Sequence, residues 1–250
     1  MTKVIIIAAG KGSRLGSLTK NLPKTLLRIN DKSMLDHQVD IYNKSGLTDI
    51  NIIVGYQNDK FKNRCETIIH NEEYEKNNIL ESLFCAEKII VGDCIISYSD
   101  IIFKSRIVKK LAKDNNPITI VVDTEWKKSY IGRTMHPISE AEKVHFDNSH
   151  DLLKIGKDIS LEDTDGEFIG MLKLNSEGAE IFKKFYRSAK AKYNNNNKFF
   201  SALSFRKAYI TDFLSYLIYN KITVRCMTIE GDWMEIDTPQ DYNNAQNFFN

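Results

Sequence analysis

The sequence predicts an α/β protein, a mixed and mostly parallel sheet flanked by helices. Val4-Ile5-Ile6-Ile7-Ala8-Ala9 is a continuous apolar run, the pattern of a strand buried on both faces. Beyond it, short apolar segments alternate with segments of helical period through the first half of the chain. The second half adds strand-like segments joined by polar turns, a small β-rich elaboration of that core.

Taken in order, Ser33 is placed to cap a helix that carries Met34, Leu35, Val39 and Ile41 and stops at Gly46. Asp49 to Val54 is the next strand. A helix from Asp59 to about Cys65 and a short strand at Ile68-Ile69 come after it. From Asn78 to Ile90, Ile79, Leu83, Ala86 and Ile90 share one helical face. Cys94 to Tyr98 is a strand, Ser105 to Lys113 a helix, and Ile118 to Val122 a strand. Glu142 to Phe146, Leu152 to Ile155 and Phe168 to Leu174 read as strands, then Ser176 to Lys192 and Lys207 to Asn220 as helices. The asparagine run Asn194 to Asn197 is expected to be a mobile polar loop between them. Ile222 to Ile229 alternates as a strand. Thr238-Pro239 then opens a terminal helix, with Thr at the N-cap and Pro at the first position. With no repeat and no linker, residues 1–250 are expected to form a single domain.

Composition removes several classes. A chain of 250 residues can bury a core without staples. Lys and Arg number 35 against 33 for Asp and Glu, so a net charge of +2 gives no footprint for nucleic acid or an anionic membrane. Mean hydropathy is -0.36, and the longest apolar run is too short to span a bilayer. The start MTKVIII lacks the parts of a signal peptide, so a cytoplasmic location is expected. Cys65, Cys85, Cys94 and Cys226 are scattered without a C-x-x-C pair, which reads as reduced thiols rather than a disulfide framework or zinc site.

The most informative stretch is Ala8-Ala9-Gly10-Lys11-Gly12-Ser13-Arg14-Leu15, with Thr19 and then Pro23-Lys24. Small residues at the end of a strand let backbone approach a ligand closely. Gly10 and Gly12 let successive amides turn inward around phosphate oxygens. Arg14 offers a forked cation for a polyphosphate, and Lys24 a point charge from a second segment. The Walker pattern G-x-x-x-x-G-K-S/T is absent, and so is the third glycine of the dinucleotide fingerprint.

A-A-G-K-G-S-R-L with T-x-x-x-P-K resembles the signature of the sugar-nucleotidyltransferase-like superfamily, in the form found in its cytidylyltransferase branch. That branch includes choline-phosphate, phosphonate and phosphoglutamine cytidylyltransferases of bacterial surface-polysaccharide pathways. The likeness runs along nearly the whole chain: Val54-Gly55-Tyr56, Asn77-Asn78 with Ser82-Leu83, Ser97-Tyr98-Ser99-Asp100, and Glu235-Ile236-Asp237-Thr238 with Asp241-Tyr242. The resemblance implies a Rossmann-like, GT-A-like nucleotidyltransferase fold with a β-rich acceptor-binding elaboration. Residues 1–125 then form the nucleotide-binding half. Residues 126–250 form the acceptor-binding half, with a metal-binding Asp and a helix at its end.

The implied reaction is transfer of CMP from CTP to a small phosphorylated or phosphonylated metabolite, with release of pyrophosphate and a role in surface-glycan decoration. Phosphoglutamine, phosphocholine and alkylphosphonates all fit as acceptors; neither nucleic acid nor membrane is an expected partner, and the oligomeric state is not read. Lys24 is expected at the α-phosphate and Arg14 at the β- and γ-phosphates. Lys11 is open to two readings, a phosphate contact or a solvated loop lysine. Backbone at Ala8, Ala9, Gly10, Gly12 and Ser13 lines the nucleotide, with Tyr56 and Ser82 as candidates for base recognition; packing at a strand end is the other reading of Tyr56. Magnesium takes one or two carboxylates plus phosphate oxygens. Asp100 and Asp237 stand at strand carboxyl ends, where open α/β sheets bind ligands, although either can also be a cap or turn residue.

On the acceptor side, Trp126, Tyr130, Arg133 and Pro137 form a W-x-x-x-Y-x-x-R-x-x-x-P pattern like that of the phosphonate- and phosphoglutamine-associated members. Arg133 suits the acceptor's phosphate or carboxylate. Lys157 is either a second phosphate contact or an exposed hairpin lysine. Glu167 and Glu235 suit an amino group, and Trp233 is either a wall of the site or core packing. Two alternatives stay open: a sugar-1-phosphate nucleotidylyltransferase using UTP, dTTP or GTP, and a non-catalytic nucleotide-sensing module.

Overall fold

The computed structural model describes residues 2–62, 64–65, 67–193 and 197–249. Strand β1 (Lys3–Ala8) is built from the apolar run, whose isoleucines suit a pleat covered on both sides. A small hairpin of β2 (Arg28–Ile29) and β3 (Lys32–Ser33) leads into α1 (Met34–Lys44). Ser33 caps α1: its hydroxyl accepts from the Asp36 amide at 3.1 Å, and the Asp36 carboxylate accepts from the Ser33 amide at 3.2 Å. Next come β4 (Asp49–Val54), β5 (Thr67–His70), α2 (Ile79–Phe84), β6 (Cys94–Tyr98), β7 (Ile101–Phe103), α3 (Ser105–Ala112) and β8 (Ile118–Asp123). The remainder runs through β9 (Lys143–Phe146), β10 (Leu152–Gly156), β11 (Gly166–Leu174), α4 (Ser176–Tyr193), α5 (Ile210–Tyr219), β12 (Arg225–Ile229), β13 (Trp233–Glu235) and α6 (Pro239–Ala245).

β1 lies between β4 and β6 and parallel to both, and β4 takes β5 in parallel. β11 runs antiparallel between β6 and β8, and β8 pairs in parallel with β12. β9 and β10 extend the sheet beyond β11 as antiparallel strands. Alternate β1 side chains feed two cores. Val4, Ile6 and Ala8 pack with Leu35 and Tyr42 of α1 and Ile107, Val108 and Leu111 of α3. Ile5 and Ile7 belong to the opposite core, with Leu80 and Leu83 of α2, Phe182 of α4 and Phe213 of α5. The expected mixed sheet with helices on both faces is the observed architecture. No helix among the described residues is long and apolar enough to cross a membrane.

Three features position the site. First, β7 and β13 pair antiparallel, with Ile101 opposite Glu235, and the Ile236 amide donates to the Asp100 carbonyl at 2.9 Å. Segments more than a hundred residues apart thus bring Asp100 beside Asp237. Second, Thr238 caps α6 and Pro239 follows, as expected. The Asp241 carboxylate accepts from the amides of Asp237 and Thr238 at 3.1 and 2.9 Å, which fixes the backbone carrying Asp237. Third, β11 is bent at Gly170, whose φ is +77°, where its register against β8 shifts. A Cβ there would lie 2.4 Å from the Tyr98 ring, so glycine lets β11 lie against Tyr98 and turn Glu167 and Phe168 into a cavity wall.

Several expected helices are shorter. α2 ends at Phe84, and Cys85, Ala86 and Glu87 bond back only three residues, tightening the chain into turns. The expected helix from Asp59 is a single 3-10 turn, Asn58–Phe61. The helix expected from Lys207 begins at Ile210, where the Asp212 carboxylate accepts from the Tyr209 amide at 2.8 Å. Asn194 to Asn196 of the asparagine run lie outside the described residues.

Candidate active site

The loop after β1 wraps over Lys24. Gly12 is left-handed, with φ +64°, and a Cβ on it would lie 2.7 Å from the Lys24 Cβ. The Thr19 hydroxyl donates to the Gly12 carbonyl at 2.9 Å, which holds the turn in place. Leu15 anchors the loop in a third apolar cluster with Ile102 and Ile236. Lys24 itself is only 8% exposed. Its ammonium bridges two carboxylates, Asp100 Oδ2 at 3.0 Å and Asp237 Oδ1. Arg14 pairs with the other oxygen of Asp237.

These charges set one another's protonation. Burial opposes the Lys24 ammonium, but Asp100 and Asp237 outweigh it and raise its pKa. Burial likewise opposes the Asp237 carboxylate, yet Lys24 and Arg14 hold it down at about 2. Lys24 and Asp237 are therefore both charged across the neutral range.

Two cavities meet here. One, of about 340 Å³, is lined by Ala8, Ala9, Gly10, Gly12, Ser13, Lys24 and Ser82. The other, of about 150 Å³, is lined by Tyr98, Glu142, Lys157, Glu167, Trp233 and Glu235. Arg14, Asp100 and Asp237 line both. A divalent metal fits this junction. Asp100 and Asp237 are hard oxygen donors at the common edge, and Asp100 Oδ1 is buried without a hydrogen-bond partner. Beside them stands His136, with Nδ1 3.6 Å from Asp237 Oδ2 and Nε2 3.6 Å from Glu235 Oε2. Burial, aided by Arg133, lowers its pKa to about 4, so the imidazole is neutral.

A glycine-bearing loop after the first strand, a lysine from a second segment and two strand-end aspartates are thus assembled at one point. The family model of the MobA-like NTP transferase domain matches residues 4–150. The chain belongs to that family. It is 31% identical over 249 residues to the CTP:phosphoglutamine cytidylyltransferase of Campylobacter jejuni subsp. jejuni, which covers 95% of this chain and 96% of that protein. It is 33% identical over 107 residues to the choline-phosphate cytidylyltransferase of Streptococcus pneumoniae, covering 41% of this chain and 47% of the relative. In fold it is similar to the CTP:phosphocholine cytidylyltransferase from Streptococcus pneumoniae (TM-score 0.72, 20% identity, 100% and 99% of the two chains). It is likewise similar to the inositol-1-phosphate CTP transferase from T. maritima (TM-score 0.76, 18% identity, 98% and 95%).

Not every residue singled out in the sequence of this NTP transferase reaches a cavity. Lys11 turns outward and pairs with Glu75 at 2.6 Å, both half-exposed, away from the phosphate loop's inner side. Tyr56 also lies outside, its hydroxyl donating to the Lys20 carbonyl at 2.5 Å. Trp126 is 1% exposed and packs edge-on against Tyr130, so it is core. Arg133 is committed internally: its guanidinium donates to Asp241 at 2.7 Å and to Glu235 at 3.3 Å. With those partners it braces the wall rather than facing an acceptor. Tyr130 stands behind the wall too, its hydroxyl donating to Glu167 at 2.5 Å. Lys157 lines the cavity while paired with Glu140 at 2.7 Å. The Trp233 indole lines it while donating to Asp123 at 2.8 Å.

Among the lining residues that the sequence did not single out are Tyr74, His136, Glu142 and Tyr209. His136 stood inside the quoted W-to-P pattern, and Glu142 at the start of an expected strand. Those were the available signals. Tyr74 and Tyr209 had none, because they arrive on loops placed by packing.

Glu142 and Glu167 face the smaller cavity. Burial raises Glu142 to about 8, Lys157 opposing and Glu167 adding to it. Burial raises Glu167 to about 7, against the hydroxyl of Tyr130 and the charge of Arg133. A carboxyl whose folded pKa is raised favours the fold fully below its ordinary range, and loses that contribution as pH rises through the folded value. Glu142→Gln, neutral at every pH, is expected to melt close to the parent at pH 5 and above it at pH 9. Thermal denaturation at the two pH values measures this; equal melting temperatures at pH 9 contradict it.

Proposed function

We propose that this NTP transferase is a Mg2+- and CTP-dependent cytidylyltransferase that moves CMP onto a small phosphorylated or phosphonylated metabolite and releases pyrophosphate. The observation that carries the reading is the junction of the two cavities at Arg14, Asp100 and Asp237, above Lys24. A triphosphate in the larger cavity and an acceptor in the smaller one meet where the fixed charges are concentrated. The choice of CTP is supported by the full-length similarity to the Campylobacter jejuni enzyme.

In this reading an acceptor phosphate oxygen attacks the α-phosphorus and pyrophosphate departs. The oxygen is already anionic near neutrality, since a phosphomonoester has its second pKa near ~6. No general base is needed, and His136, lowered to about 4, would be a weak proton acceptor. The protein positions both partners and neutralises charge. Lys24 leaves its carboxylates to meet the α-phosphate, and Arg14 meets the departing β- and γ-phosphates. Asp100 and Asp237 would hold Mg2+, which when bound supplies neutralisation of phosphate charge. Phosphoglutamine, phosphocholine and alkylphosphonates are the acceptors proposed, with the product used in surface-glycan decoration. The reaction is assigned to the cytoplasm.

The test is pyrophosphate release with CTP, UTP, dTTP and GTP against those acceptors. Release with CTP is the expected result; strict use of UTP or dTTP contradicts the reading.

A further inference from the structure

We propose that Glu142 and Glu167 seat a primary ammonium group on the acceptor, so that the enzyme selects amino-bearing acceptors over desamino and trimethylated ones. This rests on the cytidylyltransferase reading and extends it to a substrate class. Both side chains line the smaller cavity, as do Asp100 and Asp237. Backbone pairing fixes their relation: Glu167 lies opposite Lys143 in the β9–β11 ladder, and the Phe168 amide donates to the Glu142 carbonyl at 2.8 Å.

Glu167 is 4% exposed. Its Oε1 takes the Tyr130 hydroxyl, and its Oε2 is buried with no partner. The Glu142 carboxylate receives no hydrogen bond among the described residues. Cations of the chain nearby are spent elsewhere. Lys157 pairs with Glu140, the Lys143 ammonium donates to the Lys157 carbonyl, and Arg133 holds Asp241 and Glu235. Lys157 and Arg133 offset the burial of the two carboxyls only in part, so both stay raised, and Glu167 Oε2 stands in the cavity wall without a hydrogen-bond partner.

An unpaired buried acceptor is costly, and a ligand that satisfies it regains that cost on binding. A primary ammonium brings three N–H donors and a positive charge, enough for both carboxylates. A trimethylammonium group has no N–H donor and leaves Oε2 orphaned. A desamino acceptor brings neither charge nor donor.

Titration calorimetry on the full chain tests this with phosphoglutamine, its desamino analogue and choline phosphate. Phosphoglutamine is expected to bind at least about 10-fold more tightly than the other two, as a charge-assisted hydrogen bond implies. Glu167→Gln and Glu142→Gln are each expected to remove most of that preference while CTP affinity stays unchanged. Both substitutions are isosteric and replace a buried acid by a neutral group, and melting curves verify folding. Equal affinities for the three probes, tighter choline phosphate, no binding of phosphoglutamine, or full preference in both variants overturns the proposal. Pyrophosphate release from CTP in the same samples separates the two claims. Release without ammonium preference sinks the seat alone, whereas ammonium preference without release from CTP sinks the cytidylyltransferase reading alone.

Discussion

Lys24→Met is expected to lower kcat for pyrophosphate release by at least about 10²–10³-fold, the range for losing one preorganised charge donor at a transition state. Methionine keeps the unbranched stem that packs under Gly12 and removes the ammonium. In the free enzyme that ammonium joins Asp100 to Asp237. In the proposed reaction Asp100 and Asp237 would hold the metal, leaving the Lys24 ammonium to neutralise charge at the α-phosphate. Arg14 still pairs with Asp237 in the variant, so the fold is expected to persist, and a melting curve verifies it. The effect should fall on kcat rather than on the KM of the acceptor, because Lys24 lines the larger cavity and not the smaller. Undiminished kcat would remove Lys24 from the chemistry.

Asp237→Asn is expected to raise the Mg2+ concentration giving half-maximal rate by more than about 100-fold, since losing even an outer partner of a metal ligand costs 10–100-fold. Asp237 is 4% exposed, touches Lys24 and Arg14, and borders both cavities. Its carboxyl sits at about 2, so it is charged throughout the working range and lost only in strong acid. Asparagine keeps the shape and removes the charge. Direct titration of Mn2+ by electron paramagnetic resonance, on parent and variant, reads the site without turnover. Equal Mn2+ affinity would take Asp237 out of the metal site.

The parts of the site legible in the sequence are those whose chemistry is local. An apolar strand running into Ala8-Ala9-Gly10 must expose backbone at its carboxyl end, and Gly12 must adopt a conformation other residues resist. Strand ends likewise marked Asp100 and Asp237. The parallel core was legible from β1, β4, β6 and β8 for a related reason: continuous burial forces continuous apolar runs. What pattern could not supply was which way a side chain turns after a loop. Arg133 reads as an acceptor ligand because a guanidinium suits a phosphate or carboxylate; its partner Asp241 lies 108 residues on, in the cap of α6. Lys11 has its partner in Glu75, which no local pattern ties to it. The β7–β13 pairing that sets Asp100 beside Asp237 joins three-residue strands, too short to carry a period. Glu142 and Glu167 show the same limit. Their significance lies in burial and in the unpartnered Oε2 of Glu167, properties of the folded cavity.

In the proposed reaction the α-phosphorus of CTP moves to a phosphate or phosphonate oxygen at the junction of the two cavities. The most direct measurement follows CTP labelled at the α-phosphorus with phosphoglutamine, choline phosphate and 2-aminoethylphosphonate in turn. The label is expected to enter a CMP–acceptor adduct, one equivalent per pyrophosphate released, and Lys24→Met is expected nearly to abolish it. Label recovered only as CTP or free CMP with every acceptor, or transfer of the γ-phosphate instead, would contradict it.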